Sequence, residues 1–151
     1  MTMESESFEH LILNLNFKKA ISLAEQMDFE TFQIKMVNFA TTEDSNILWY
    51  PFLLEYMLYN ESAELHNTAF YILSLPFCRF ENATLSALYH ARKALELSNG
   101  SKTEFLVPFL ILNTGPEKVV SDEEAKKIAK KIIELDPKHQ YANAFLKDLT
   151  S

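Results

Sequence analysis

Glycine is scarce in this chain: only Gly100 and Gly115 occur among its 151 residues. Average usage of about 7% would give roughly ten glycines. Glycine supplies the positive φ angles of tight hairpin turns and the close backbone approach that phosphate-binding loops require. A Rossmann fingerprint, a P-loop and a many-turned β-sandwich are therefore excluded, and a helical protein with short connections is favoured.

Apolar residues recur at helical spacing along the whole chain. Clear stripes with i, i+3, i+4, i+7 spacing occupy residues 8–15, 29–39 and 125–132, and strand-like alternation is weak throughout. The length and a 48% apolar composition suit one folded domain spanning residues 1–151. We therefore predict an all-α domain of roughly eight or nine helices, joined by short turns as antiparallel neighbours.

Two sequences fit the capping box, in which a serine side chain and a glutamate side chain satisfy each other's backbone N–H groups at a helix start. They are Ser121-x-x-Glu124 and Ser101-x-x-Glu104. Each predicts a helix that begins just after its serine, and the second of these helices is interrupted by Pro108.

The segment 46–60 is apolar on nearly every face, which is typical of a central, buried helix. Pro51 is expected to begin this helix or to kink it, and Glu55 is its only charged residue. An aromatic stripe at helical spacing could line a ligand slot, but core packing is the preferred interpretation. The stripe consists of Trp49, Phe52, Tyr56 and Tyr59.

Charge is unevenly distributed along the chain, whose formal net charge is −7. Residues 1–78 contain eleven acids and three bases, whereas residues 79–151 contain ten acids and eleven bases. No lysine or arginine occurs between Met36 and Cys78. Nucleic acid is therefore an unsuitable direct ligand, because its phosphates need a basic surface, and a basic partner protein is favoured. The alternative is a solvated acidic surface that maintains solubility.

The sequence contains no recognisable catalytic, cofactor-binding or metal-binding constellation. His66 and His90 lie on helices whose other faces are apolar, so we expect hydrogen-bonded packing residues, with a general base as the alternative. The lone Cys78 cannot form an internal disulfide, which favours a reducing compartment. The first ten residues lack lysine and arginine, and no apolar run is long enough to span a membrane. We expect a cytoplasmic protein that is not an enzyme.

Two segments resemble the second helix of a tetratricopeptide repeat, where small residues let paired helices approach closely. Ala87-x-x-x-Ala91 is echoed by Ala125-x-x-x-Ala129, although generic helix packing could place the same alanines. The two segments are 125 − 87 = 38 residues apart, whereas the family's repeat period is 34 residues. Between residues 42 and 76 the pattern is closer to a HEAT-like helical pair. The resemblance implies an irregular α-solenoid of antiparallel helical pairs.

A second resemblance covers residues 5–149 and is strongest at 61–97. The run that begins Glu61-Ser-Ala-Glu-Leu-His66, with Leu85-Ser-Ala-Leu-Tyr-His-Ala-Arg, resembles small helical immunity proteins of Gram-positive bacteria. These are partners of wall-associated contact-inhibition toxins whose C-terminal domains are nucleases, including tRNases. The resemblance implies a cytosolic antidote that binds one cognate toxin domain and blocks it.

The acidic segment is the predicted partner-binding surface. A nuclease domain carries positive charge to hold RNA or DNA, so carboxylates on an inhibitor raise its association rate and affinity. Tyrosine is also frequent at interface hot spots. The alternative function is an adaptor that binds peptides or partner proteins in a solenoid groove. The predicted contact residues are Glu43, Asp44, Glu55, Glu61, Glu64 and Tyr59.

Overall fold

The computed structural model describes residues 7–42 and 46–151 of the chain. Within these residues every regular element is helical, which confirms the predicted all-α class. Glu43 and Asp44, two of the predicted contact residues, lie outside the described residues. The α-helices are α1 (Phe8–Leu13), α2 (Phe17–Ala24), α3 (Phe29–Thr41), α4 (Trp49–Asn60), α5 (Ala63–Ser74), α6 (Ala83–Ser98), α7 (Val107–Thr114), α8 (Asp122–Leu135) and α9 (Gln140–Thr150).

Short polar side chains begin several of these helices. The Asp28 carboxylate accepts the backbone N–H of Thr31 at 2.8 Å, and Ser121 Oγ accepts that of Glu124 at 3.1 Å. Each bond satisfies one of the N–H groups that a helix start leaves without an intrahelical partner. The helix start predicted at Ser121 is therefore confirmed, since α8 begins at the next residue.

The helix start predicted at Ser101 is wrong. Its hydroxyl donates to the carbonyl of Ser98 at 2.8 Å, so this side chain completes the preceding helix instead of beginning a new one. Residues 103–105 make a single 3-10 turn, and α7 begins only at Val107, with Pro108 in its first turn. Proline suits that place because the backbone N–H that it lacks would have no intrahelical partner in the first turn.

Helix α6 ends on two consecutive residues in the left-handed conformation. Asn99 has φ 56° and Gly100 has φ 65°, and the Gly100 N–H donates to the carbonyl of Leu95 at 3.3 Å. Glycine adopts this conformation without a steric cost, and asparagine is the residue that next most often does so. Gly115 has an ordinary φ of −70°. The backbone conformation therefore favours glycine at position 100 but not at position 115.

Most consecutive helices contact each other, and further contacts join helices two positions apart. The α5–α6 contact is the most extensive, and α8 packs against both α7 and α9. In addition, α2 contacts α4, α3 contacts α5, and α7 contacts α9. No helix in the described ranges is both long enough and apolar enough to cross a membrane. Most of the buried faces form one apolar core that extends from Phe8 to Phe145, and Ala63, Ala94 and Phe105 form a small separate cluster.

Aromatic rings join the first four helices. Phe52 of α4 contacts Phe8 of α1 and Phe17 of α2, with ring centroids 5.6 Å apart in both pairs. Phe32 of α3 contacts Phe8 at 6.1 Å and Tyr56 of α4 at 5.7 Å. These edge-to-face pairs each add about 0.5–1.5 kcal/mol to the stabilisation from area burial. The inner face of α4 is thus the central, buried surface that its sequence predicts.

Candidate functional site

The last turn of α4, residues 58–60, is exposed, although its sequence predicts burial on nearly every face. Pro51 lies in the first turn of α4, and Trp49 of the aromatic stripe is 1% exposed. In contrast, Leu58 is 84% exposed and Tyr59 is 72% exposed, and the Glu55 side chain one turn earlier is also exposed. Core packing is therefore correct for most of the aromatic stripe and wrong for Tyr59.

Glu61 lies in the turn between α4 and α5, and Glu64 lies in the first turn of α5. Both line a cleft of about 360 Å³ between this turn and the C-terminal end of α6, and the buried ring of Phe105 forms part of its wall. Lys102 lines the same cleft. The fold thus brings a base from another segment to a surface that the sequence between residues 36 and 78 leaves without one.

The structure brings the predicted contact residues together only in part. Glu55 and Tyr59 share one face of α4, and Glu61 and Glu64 share the cleft. Hereafter the α4–α5 surface means the exposed residues Glu55, Leu58, Tyr59 and Glu61 together with the half-buried Glu64.

A chain of hydrogen bonds runs inward from Glu61. Its Oε1 atom lies 2.7 Å from Nε2 of His66, and Nδ1 of His66 lies 2.9 Å from Nδ1 of His90. Nε2 of His90 lies 2.8 Å from the hydroxyl oxygen of Tyr50. His66 is 3% exposed and His90 is 0% exposed, and the Tyr89 ring packs on both imidazoles. We call Tyr50, His90, His66 and Glu61 the histidine chain.

Three helices position the histidine chain. Tyr50 lies in the first turn of α4, and Glu61 is the residue that follows the end of the same helix. His66 belongs to α5 and His90 to α6, which are the two helices with the most extensive contact. The distance between the two imidazoles is therefore fixed by the main helix–helix interface of the protein.

Hydrogen bonding and burial fix the charges in the histidine chain. The hydrogen bond from His66 lowers the pKa of Glu61, and the positive charge of Lys93 adds to this effect. Burial and, to a smaller extent, the charge of His66 lower the pKa of His90 to about 4. Burial also raises the pKa of Tyr50, to which Tyr89 contributes. At neutral pH the carboxyl of Glu61 is thus ionised, His90 is neutral and Tyr50 keeps its proton.

The expectation that His66 and His90 are hydrogen-bonded packing residues is confirmed by their burial and their bonds. Their partners were not predicted: the imidazoles bond to each other, and His66 has a carboxylate partner at 2.7 Å. A carboxylate that orients an imidazole is the arrangement found in catalytic bases. Here both rings are buried, and the hydroxyl at the far end of the chain holds its proton more tightly than usual.

Sequence reasoning missed the histidine chain because its members are far apart along the sequence. His66 and His90 are 24 residues apart, and Tyr50 and His90 are 40 apart. The available signal was the need of buried polar groups for partners, since both histidines lie on otherwise apolar helix faces. Residue spacing does not reveal which groups satisfy that need.

Comparisons with family models, curated proteins and solved structures yield no match for this chain. In the part of the chain that the structure describes, no three His, Cys, Asp or Glu side chains converge as a metal ion would require. Function therefore has to be inferred from the α4–α5 surface and the histidine chain.

Proposed function

We propose that this protein is a cytoplasmic immunity protein that binds and neutralises a cognate secreted nuclease toxin domain, with a tRNase as the expected class. The observation that carries the proposal is the exposed end of α4, where Leu58 and Tyr59 are 84% and 72% exposed beside the carboxylate of Glu55. Contiguous exposed apolar groups mark protein-binding surfaces, and tyrosine is enriched among the residues that dominate binding energy.

The charge of this region supports a basic partner. Residues 1–78 carry eleven acids and three bases, which gives 3 − 11 = −8. The pKa of Glu61 is lowered by its hydrogen bond from His66, so this carboxylate keeps its negative charge. A nuclease domain holds phosphates with positive charge, so an inhibitor that presents carboxylates gains association rate without copying the substrate. The same negative charge disfavours direct binding of nucleic acid.

Burial supports binding rather than catalysis. His66 and His90 are the side chains best suited to proton transfer, and they are 3% and 0% exposed. A general base has to come within hydrogen-bond distance of the proton that it removes from a substrate. The outer ends of the histidine chain, Tyr50 and Glu61, are the parts that reach the surface, and they suit recognition of a partner.

A peptide-binding adaptor is the second candidate function. The contacts of α2 with α4, α3 with α5, and α7 with α9 support a short, irregular solenoid of tetratricopeptide-like or HEAT-like pairs. An apolar groove of about 450 Å³ lies between α3 and α5 and suits an apolar peptide side chain. Its lining residues are Gln33, Ile34, Val37, Asn38, Tyr71 and Leu75.

Co-expression with the toxin domain encoded beside this chain tests the proposal. We expect rescue of growth and a tight equimolar complex. In purified protein, Tyr59→Ala is expected to weaken the complex by about tenfold or more, because a hot-spot tyrosine contributes more than about 1 kcal/mol. The control is Tyr141→Ala on α9, where the ring is also partly exposed.

Charge reversal tests the electrostatic part separately. Glu55→Lys combined with Glu64→Lys is expected to slow association and to remove most of its salt dependence. In contrast, Glu134→Lys, on the exposed face of α8, is expected to leave the association rate and its salt dependence unchanged. Glu61 is left intact because it also holds His66. Growth arrest despite co-expression, or equal affinity of the Tyr59 and Tyr141 variants, would overturn the proposal. Loss of binding on Ile34→Asp alone would place the partner in the α3–α5 groove.

A further inference from the structure

The proton positions in the histidine chain follow from its geometry. The ionised carboxylate of Glu61 can only accept, so Nε2 of His66 must carry the proton of their 2.7 Å bond. When both imidazoles are neutral, Nδ1 of His66 is then an acceptor, and Nδ1 of His90 donates to it across 2.9 Å. Nε2 of His90 is left as an acceptor for the hydroxyl of Tyr50. Every ring nitrogen in this arrangement has a partner, and the two histidines are opposite tautomers.

One additional proton produces a second arrangement in which the four ring nitrogens again all have partners. The hydroxyl oxygen of Tyr50 receives a proton from solvent and passes its own proton to Nε2 of His90. The His90 Nε2–H then donates to Tyr50, and the positive charge is shared with His66 through the proton that already lies between the two Nδ1 atoms. Neither imidazole has to rotate, and only the O–H of Tyr50 turns away from His90.

A third arrangement, with two excess protons, is excluded while the chain is intact. Two N–H groups would then face each other across 2.9 Å, with two positive charges in a site where His90 is 0% exposed. Burial, the main cause of the lowered pKa of His90, acts in the same direction because it disfavours a charged imidazole at this place. The pair therefore holds either no excess proton or one.

We propose that the histidine chain is a one-proton switch, in which uptake of a single proton by the His66–His90 pair converts the Tyr50 hydroxyl from a donor to His90 into an acceptor from it. The groups that face the pair are Tyr50 from α4, Glu61 after α4 and Tyr89 from α6, and Lys93 of α6 acts on Glu61. Tyr89 is 56% exposed and contacts both imidazoles, so the switch adjoins the surface.

The switch also regulates the α4–α5 surface, and this consequence rests on the proposed function. Glu61 is both the outer end of the histidine chain and a member of that surface. In the neutral state its carboxylate carries a full negative charge toward a basic partner. In the protonated state the buried positive charge offsets it, so we expect the affinity for a basic partner to fall as the pair takes up its proton.

Nitrogen-15 NMR of the histidine-labelled free protein tests the switch without any partner, so its failure is distinct from failure of the proposed function. At pH 8 we expect the Nε2–H tautomer for His66 and the Nδ1–H tautomer for His90. On titration to pH 4 we expect Nε2 of His90 to gain a proton and the folded pair to take up one proton in total. Identical tautomers at pH 8, or two protons bound in the folded state, would overturn the inference.

A matched pair of variants adds a second readout. Glu61→Gln replaces the carboxylate that fixes the His66 tautomer, so we expect mixed tautomers and proton uptake at lower pH. Glu64→Gln removes a carboxylate from the same cleft but outside the histidine chain, and we expect the wild-type spectrum and titration. Circular dichroism of each variant establishes that it is folded. Equal spectra for the two variants would contradict the assigned role of Glu61.

Discussion

At the scale of single residues, resistance to acid depends on His90. Its imidazole is 0% exposed, and its pKa falls from the usual 6.5 to about 4 because burial disfavours the charged form and His66 repels it. The unfolded chain therefore binds this proton near pH 6.5, while the folded chain binds it only near pH 4. The stabilisation that comes from this difference between the folded and unfolded pKa values is fully present above pH 6.5, and it is lost as the pH falls through 4.

We expect the free energy of unfolding to decrease by about 3 kcal/mol through His90 between pH 7 and pH 4. His90→Gln, which cannot titrate, should lose that much less over the same range. His10→Gln, at an exposed histidine, should follow the wild type. Urea unfolding at a series of pH values measures all three proteins, and parallel profiles for the wild type and the His90 variant would refute the expectation. The lowered pKa of Glu61 acts in the same direction and remains in every variant.

At the scale of elements, helix ends depend on backbone conformation more than on composition. Gly100 ends α6 with φ 65°, and a Cβ there would lie 2.6 Å from Nζ of Lys131. The lysine side chain is flexible and can move away, so the main cost of a side chain at this position is the left-handed backbone. Gly115 has φ −70°, and a Cβ at this position would have the carbonyl oxygen of Leu112 as its nearest neighbour, at 3.8 Å.

Substitution of the two glycines should therefore change stability in opposite directions. Gly100→Ala is expected to lower the free energy of unfolding by about 1–2 kcal/mol, because an alanine in the left-handed region is strained. Gly115→Ala is expected to be neutral or to stabilise by up to about 1 kcal/mol, because it restricts the unfolded chain without straining the folded one. Thermal or urea unfolding of the two single variants measures the contrast. A similar loss in both would show that backbone conformation is not the cause.

At the scale of the whole molecule, the aromatic contacts of Phe52 connect α1, α2 and α4, and the apolar core continues through the later helices to Phe145. One continuous core leads us to expect a single cooperative unfolding transition, in keeping with the predicted single domain. The sole tryptophan, Trp49, lies in the same helix as Phe52 and reports on the core by fluorescence.

Phe52→Ala is expected to lower the free energy of unfolding by about 3–5 kcal/mol, because it leaves a cavity where the ring is 0% exposed. Leu58→Ala in the same helix should change it by less than about 0.5 kcal/mol, because that side chain is 84% exposed. Urea unfolding followed by circular dichroism and by Trp49 fluorescence should give one midpoint for each variant. Separate midpoints for the two probes would mean that the helices far from Phe52 unfold independently.

Local sequence predicted the local structure well, with failures that have physical causes. The cap at Ser121 was predictable because it involves groups a few residues apart. Ser101 fits the same capping pattern but bonds backwards to Ser98, since the following turn is 3-10 rather than α-helical. Tyr59 has the spacing of a core residue, but its side of the last turn of α4 is left uncovered by the described residues, so its ring is 72% exposed.

By itself, the sequence determined that the chain is all-helical: two glycines and apolar residues at 3.6-residue spacing leave few other folds. It also determined the acidic character of the first half of the chain, which is a matter of composition. Only the tertiary structure decided that Glu61, His66, His90 and Tyr50 form one hydrogen-bonded chain, and that Lys102 lines the same cleft as Glu61. Periodicity assigns a residue to a face of its own helix, whereas a partner across an interface depends on how two helices pack.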